Sequence, residues 1–500
     1  MTTLRLKSLA LFAGLTLGAV LLGVSIAEGD YFQIIIGVVA ITLVAGVLSP
    51  GYVPLMAAGL ALPFYLPLPY ALGLPMLAAV LGFCVLKLAI TYPALGKRQV
   101  NYRSCFDVSM IVLFGIVALH YLSNPALPNR MGTLQGTTGF RAYFSYGICF
   151  ATVAIMGFVI RSREEMISLF RKMVWWSVVV AVLLMICSVS RSGTAAIALT
   201  QMGVFVTAFD NGLLRFVVLS GSGMVILSLA LLPELMPLRA STRAVLVAIS
   251  LAAVIAGGSR TGVVTAVIII LTILWLRQKH AAFGVALGVI LLTFAGLYYV
   301  GENFQLRRGV GMFRIASIIS PRAAEISSAT ETYKWRMLRW ERAIQDIRAN
   351  PLFGVGYGGL QNLVFSADQE AEMLEMDLAA GSIHNGYLAI ARAFGIPALL
   401  VFVFCLLKQI VTHWRFARNG GPASSQQRAI HMFFCANLLA FVVELYLGCD
   451  ANSFELWAYI ALGMVAVQLN AHASSAQKLT AIVAPAPTKL EPKFGRILPI

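Results

Sequence analysis

The chain has 500 residues, 59% hydrophobic and only 12% charged, with 37 basic side chains against 21 acidic ones for a net charge of +16. That balance is too apolar for a water-soluble protein, and runs of the roughly 18–20 apolar residues that cross a bilayer as helix recur along it. The runs are continuously apolar rather than alternating, which excludes a β-barrel.

Fourteen spans are predicted in chain order, at about 8–27, 31–48, 51–66, 70–91, 106–122, 142–160, 173–189, 214–232, 244–258, 261–276, 281–299, 386–411, 429–448 and 455–470. Pro54, Pro63, Pro67, Pro69 and Pro75 blur the third and fourth, so the expectation is an all-α polytopic transmembrane bundle of about 12–14 spans. Arg5, Lys7 and the small residues before Glu28 look like a secretory signal, but the first run is long and thirteen more follow. An uncleaved first span is therefore expected. The domain reading is a membrane domain over 1–300 with spans 1–11, a large partly helical periplasmic loop over 301–383, a membrane domain over 384–470 with spans 12–14, and a cytoplasmic, disordered Ala-, Pro- and Lys-rich tail over 471–500.

The basic excess invites a nucleic-acid reading, so its placement decides. Arg5 and Lys7, then Lys97, Arg98 and Arg103, then Arg161, Arg163, Arg171 and Lys172 fall on one side if the spans alternate. Arg239 and Arg243, Arg277 and Lys279, and Arg415, Arg418 and Arg428 fall on the same side. This is the positive-inside pattern, with both termini cytoplasmic. Most of the charge is topology, and no nucleic-acid partner is indicated. The seven cysteines are scattered, with no disulfide or zinc spacing.

Basic residues on the opposite, outer face run against that bias. Arg130, Arg141, Arg191 and Arg260 are there, with a cluster in the large loop that includes Arg336, Arg339, Arg342 and Arg348. At "GGSRTGVVTAV" two spans meet with almost no connection, leaving Arg260 at the rim, where an arginine can hold a phosphate through two parallel hydrogen bonds. Gly257, Gly258 and Gly262 would let backbone approach such a group; the plainer alternative is a snorkelling arginine at a hairpin tip. Within the loop, Glu331 to Ala349 reads as a helix stopped by Asn350-Pro351. At about 100° per residue, Trp340, Ala343, Ile344 and Ile347 share its apolar face, and Arg336 falls in the middle of that stripe. Arg339, Arg342 and Asp346 lie off it and read as solvated charges.

"PLFGVGYGGLQNL" follows, with Gly354, Gly356, Gly358 and Gly359. No strand precedes it, so a dinucleotide site fails on context; a tight turn is favoured over a phosphate-binding backbone nest. Asp368, Glu370, Glu372, Glu375 and Asp377 read as a solvated acidic face. The chain then re-enters the membrane through "SIHNGYLAI". Ser382 or Asn385 suffices to cap the next helix, which leaves His384 to be explained by proton transfer, its pKa lying near the working pH. Glu444 and Arg392 occupy adjacent predicted spans near the outer rim and are expected to pair. His120, near the outer end of the fifth span, reads as a core histidine.

A Ser-Arg-Thr-Gly hairpin tip, an outer loop with Arg-x-x-x-Trp, Asn-Pro-Leu-x-Gly-x-Gly, and His-Asn-x-Tyr-Leu opening a span with a later Gly-Ile occur in this order over about 200–410. The combination resembles the O-antigen ligase and the O-antigen and exopolysaccharide polymerase family of bacterial inner membranes. The resemblance implies a metal-independent, cofactor-free glycosyltransferase that uses an undecaprenyl-diphosphate glycan on the periplasmic side. Its rim arginine maps onto Arg260, its loop-helix arginine onto Arg336 and its catalytic histidine onto His384. Asn385, Tyr387, Arg191 and Arg339 are further candidates for lining the substrate. The sequence departs from the family at Ala391-Arg392-Ala393-Phe394-Gly395, where an acidic residue is often found before the glycine. The acceptor is left open between a growing glycan, favoured here, and lipid A core; envelope-glycan assembly proteins are possible partners beside membrane lipids. A transporter of an anion or a lipid-linked glycan is the alternative from another class. No internal repeat supports it, and the unusual charges gather at one rim rather than the midplane.

Overall fold

The structure, a computed structural model, describes residues 51–61, 65–66, 74–95, 106–123, 134–190, 206–208, 214–216, 218–303, 315–326, 329–357, 373–375, 377–378, 381–419, 424–448 and 451–483. The fold is all-α. In order, the helices are α1 (Val53–Ala61), α2 (Met76–Leu95), α3 (Val108–Ser123), α4 (Leu134–Val159), α5 (Arg163–Ser190), α6 (Leu219–Ala230) and α7 (Ala240–Ala256). They continue with α8 (Arg260–Leu276), α9 (His280–Asn303), α10 (Pro321–Ile326), α11 (Ala329–Ala349), α12 (Gly386–Asn419), α13 (Ser425–Leu447) and α14 (Phe454–Val483). Two short antiparallel hairpins interrupt them, β1 (Tyr65–Leu66) with β2 (Leu74–Pro75) and β3 (Val206–Ala208) with β4 (Leu214–Phe216).

Among the described residues six helices, α4, α5, α9, α12, α13 and α14, are long and apolar enough to cross a membrane. Two predicted spans shrink. The run 51–66 becomes the nine-residue α1 and then a strand, and the run 214–232 becomes β4 and the twelve-residue α6. At about 1.5 Å per residue neither helix reaches across a hydrocarbon core of about 30 Å. An apolar run by itself does not separate strand from buried helix. The predicted spans at 8–27 and 31–48 lie outside the described residues. The last apolar span runs Phe454–Ala471, and its helix α14 continues to Val483.

Local signals place the helix starts. Ser162 Oγ accepts the Glu165 N–H at 3.1 Å, with Glu164 and Glu165 in the first turn of α5. Ser424 and Gln427 form a full capping box on α13. That helix is buried almost all round, as expected of a central element, and Phe170, Phe402, Phe433, Phe434 and Trp457 fill the core about it. By contrast α9 buries only Gly301. At the end of the bundle read as cytoplasmic, the arginines close helix termini: Arg277 Nη1 donates to the Leu231 carbonyl at 2.8 Å while pairing with Glu234 at 2.9 Å, and Arg171 Nε donates to the Leu235 carbonyl at 3.1 Å. These cations therefore satisfy carbonyls at the end of α6 and in the turn after it, as well as setting orientation.

Candidate active site around the end of α13

The helix α11 holds the turn that carries His384. Trp335 Nε1 donates to Asp377 at 3.3 Å, Arg339 Nη1 to the Ser382 carbonyl at 3.2 Å, and Trp340 Nε1 to the Ile383 carbonyl at 3.1 Å. Arg339 also pairs with Asp377 and lies over the Trp335 ring, 5.4 Å from its centroid. It is only 8% exposed. The expectation of a solvated Arg339 and a solvated Asp377 is thus corrected: they are one buried-facing pair. Rotated slightly from the predicted stripe, α11 turns Arg339 and Ala343 inward and leaves Ile344 exposed.

Held in this way, His384 adopts φ 55, a left-handed conformation that costs an ordinary side chain about 1–2 kcal/mol. Asn385 then caps α12, its Oδ1 accepting the Tyr387 and Leu388 N–H groups at 3.1 Å each. Ser382 has no part in that cap; its N–H donates to the Asp377 carbonyl at 2.8 Å. Tyr387 sends its hydroxyl to the Val442 carbonyl at 3.0 Å. Asn385 Oδ1 and the Tyr387 hydroxyl are therefore engaged within the protein.

The two remaining elements meet at the end of α13. Arg336 Nη1 donates to the Leu447 carbonyl at 2.8 Å, a cation at a helix C-terminus where the dipole favours it. The His384 ring hydrogen-bonds the backbone of Gly448, the next residue. Burial first, then the Arg339 and Arg336 guanidinium groups, hold the His384 imidazole below its ordinary pKa, against the opposing Gly448 bond and Asp377 carboxylate. The ring is consequently a neutral imidazole near pH 7, able to accept a proton. Arg260 opens α8 directly after its cap Ser259, which accepts the Gly262 N–H at 3.2 Å. A cation at a helix N-terminus opposes the dipole, so helix stability does not account for Arg260. Ser259 and Gly262 line the same cavity as Glu444, one turn before Gly448. Arg336, Arg339 and His384 thus gather at the end of α13, and Ser259 and Gly262, on either side of Arg260, line a cavity with Glu444 of the same helix. Arg191 lies outside the described residues.

Other expectations need correcting. Gly257 and Gly262 are explained by packing, since an added Cβ on either would strike Ser220. Arg392 pairs with Asp346 at 2.7 Å and donates to the Leu378 carbonyl at 2.8 Å, so neither the predicted Arg392–Glu444 pair nor a solvated Asp346 is found. Arg342 and Glu375 pair at 3.1 Å. His120 packs edge-on against Phe394. In the glycine-rich turn, Val355 N–H donates to the Arg392 carbonyl at 2.7 Å and Gly356 N–H to the Ala393 carbonyl at 2.9 Å, while Ile396 N–H reaches the Pro351 carbonyl at 2.8 Å. These bonds repair a break in α12 at Gly395, where φ is 86, and Pro397 has no N–H for the Ala393 carbonyl. Their N–H groups being taken, Val355 and Gly356 form a junction and not a phosphate nest.

Residues 245–403 match the family model described as O-Antigen ligase. Over that stretch the chain is similar to the O-antigen ligase family. The stretch takes in α7 to the middle of α12 and so contains Arg260, Arg336, His384 and the Gly354–Gly395 junction. No curated protein matches the chain. The similarity implies glycan transfer between a lipid-linked donor and an acceptor in general. With the six apolar helices it supports a multi-pass protein of the bacterial inner membrane.

Proposed function

We propose that the protein transfers a glycan from undecaprenyl diphosphate to an acceptor hydroxyl at the periplasmic side of the membrane, polymerising O-antigen or exopolysaccharide repeat units. The observation that carries this reading is the strained, neutral His384 held beside Arg336 and Arg339 at the end of α13. In the step, the acceptor oxygen bonds the donor's anomeric carbon as the bond from that carbon to the diphosphate breaks. His384 takes the acceptor's hydroxyl proton. Arg260 and Arg336 hold the diphosphate as it leaves with its added negative charge. No metal or cofactor is assigned a role in this reading. An apolar groove of about 530 Å³ between α3 and α4, lined by Phe114, Tyr121, Phe140 and Tyr143, suits a polyprenyl chain. The Tyr143 hydroxyl of this groove accepts the Tyr357 N–H at 3.4 Å, at the end of the glycine-rich turn.

The second reading is ligation to lipid A core, favoured by the description of the matched family model. Purified protein given lipid-linked repeat units lengthens them if it is a polymerase; given lipid A core as well, it modifies the core if it is a ligase. Arg260→Lys and Arg336→Lys keep the charge but lose the fork, and each is expected to slow transfer about 10²-fold or more. Absence of transfer in both assays, with flux of lipid-linked glycan in proteoliposomes, would establish the transporter alternative instead.

A further inference from the structure

Beside the start of α8 lies a cavity of about 320 Å³, enclosed by α1, α2, α5, α6, α8, α13 and α14. Its size is at the small end of ligand pockets, which run to roughly 300–1,000 Å³. Two buried hydroxyls on its wall, those of Ser177 and Ser220, have no hydrogen-bond partner among the described residues, a costly state for a buried polar group. The N-terminus of the short helix α6 also opens on it and carries no side-chain cap, leaving backbone donors there. Facing these donors are acceptors, the carboxylates of Glu444 and Glu455 and the amide of Asn437, whose nitrogen is engaged by the Phe433 carbonyl at 2.8 Å. Phe441, Phe454 and Tyr459 supply aromatic surface. Among the described residues that line it there is no lysine, arginine or histidine.

Each kind of ligand asks for a different wall. A diphosphate accepts hydrogen bonds only, and would meet the acidic side chains of Glu444 and Glu455 with no basic one. A bare cation would use the acceptors and leave Ser177 and Ser220 as they are. A hydroxyl both donates and accepts, so a ligand carrying several hydroxyls and no negative charge satisfies both halves of the wall at once. We propose that this cavity is a subsite for one uncharged sugar residue of the substrate, set next to the diphosphate site, with Glu444 and Asn437 reading its hydroxyls and the carboxylates excluding acidic sugars. The proposal rests on the glycan-transfer reading above and adds to it a sugar class and the residues that select it.

The test is ligand-observed NMR on the purified full-length protein, with methyl glucoside and methyl N-acetylglucosaminide as neutral probes and glucuronate as the acidic one. Neutral probes are expected to bind at least tenfold more tightly than glucuronate. Glu444→Gln is expected to narrow that gap. Gly221→Leu is expected to abolish neutral binding without disturbing the fold, because an added Cβ at Gly221 meets nothing within 4 Å. His384→Asn is expected to bind the neutral probes as the parent does. Equal binding of glucuronate, no neutral binding by the parent protein, or unchanged neutral binding in Gly221→Leu would each overturn the subsite. Selective binding in a protein that transfers nothing keeps the subsite and removes the transferase reading; transfer without selective binding does the reverse.

Discussion

His384 combines two properties that a structural histidine does not need together, a left-handed backbone and a depressed pKa. The depression gives a definite pH dependence. A base with its pKa below the ordinary value of about 6.5 stays deprotonated at neutral pH, so the acid limb of the rate profile falls below pH 6.5. Removing a neighbouring cation in Arg339→Ala should move that limb upward, and removing the opposing carboxylate in Asp377→Asn should move it downward, both read from pH–rate profiles. A limb that moves with neither variant would mean that another group titrates. His384 was legible because a cap needs no imidazole. Arg339 and Asp377 were not, since each looks like an ordinary solvated charge until α11 and the 377–383 segment are brought together.

At the scale of elements, the junction between the 351–356 turn and α12 positions the first half of α12 and therefore His384 at its head. Gly354 has φ 68, and an added Cβ would lie 2.6 Å from the Arg392 carbonyl oxygen; at Gly395 it would strike Leu352. Gly354→Ala and Gly395→Ala are each expected to cost about 2–4 kcal/mol, from left-handed backbone and overpacking together, measured by thermal unfolding in detergent. Breaking the pair in Asp346→Asn strands Arg392 in a buried setting and should cost about 3–5 kcal/mol. Thermal stability equal to the parent's would show that the junction does not constrain α12. The periodicity of α11 and the Pro351 stop were visible in the residues. That Pro397 opens a carbonyl which Gly356 fills was not, because a hydrogen bond between residues so far apart in sequence has no local pattern. The strands at 65–66 and 214–216 were hidden for another reason, an apolar run that reads alike as span or buried strand.

Over the whole molecule, the positive-inside reading and the site make a joint prediction. The exposed Phe353 sits against Gly395, at the kink of the α12 half that begins beside His384, and the exposed His280 lies at the turn between α8 and α9. In intact cells, a membrane-impermeant maleimide should label Phe353→Cys and spare His280→Cys; the opposite pattern would invert the topology and move the site to the cytoplasm. The most direct test compares the purified protein with its His384→Asn variant on an undecaprenyl-diphosphate-linked glycan and its acceptor. Asparagine tolerates the left-handed backbone, so the variant should fold as the parent does. The account predicts transfer by the parent and a rate about 10²–10⁴-fold lower in the variant; equal rates in two equally folded proteins would contradict it.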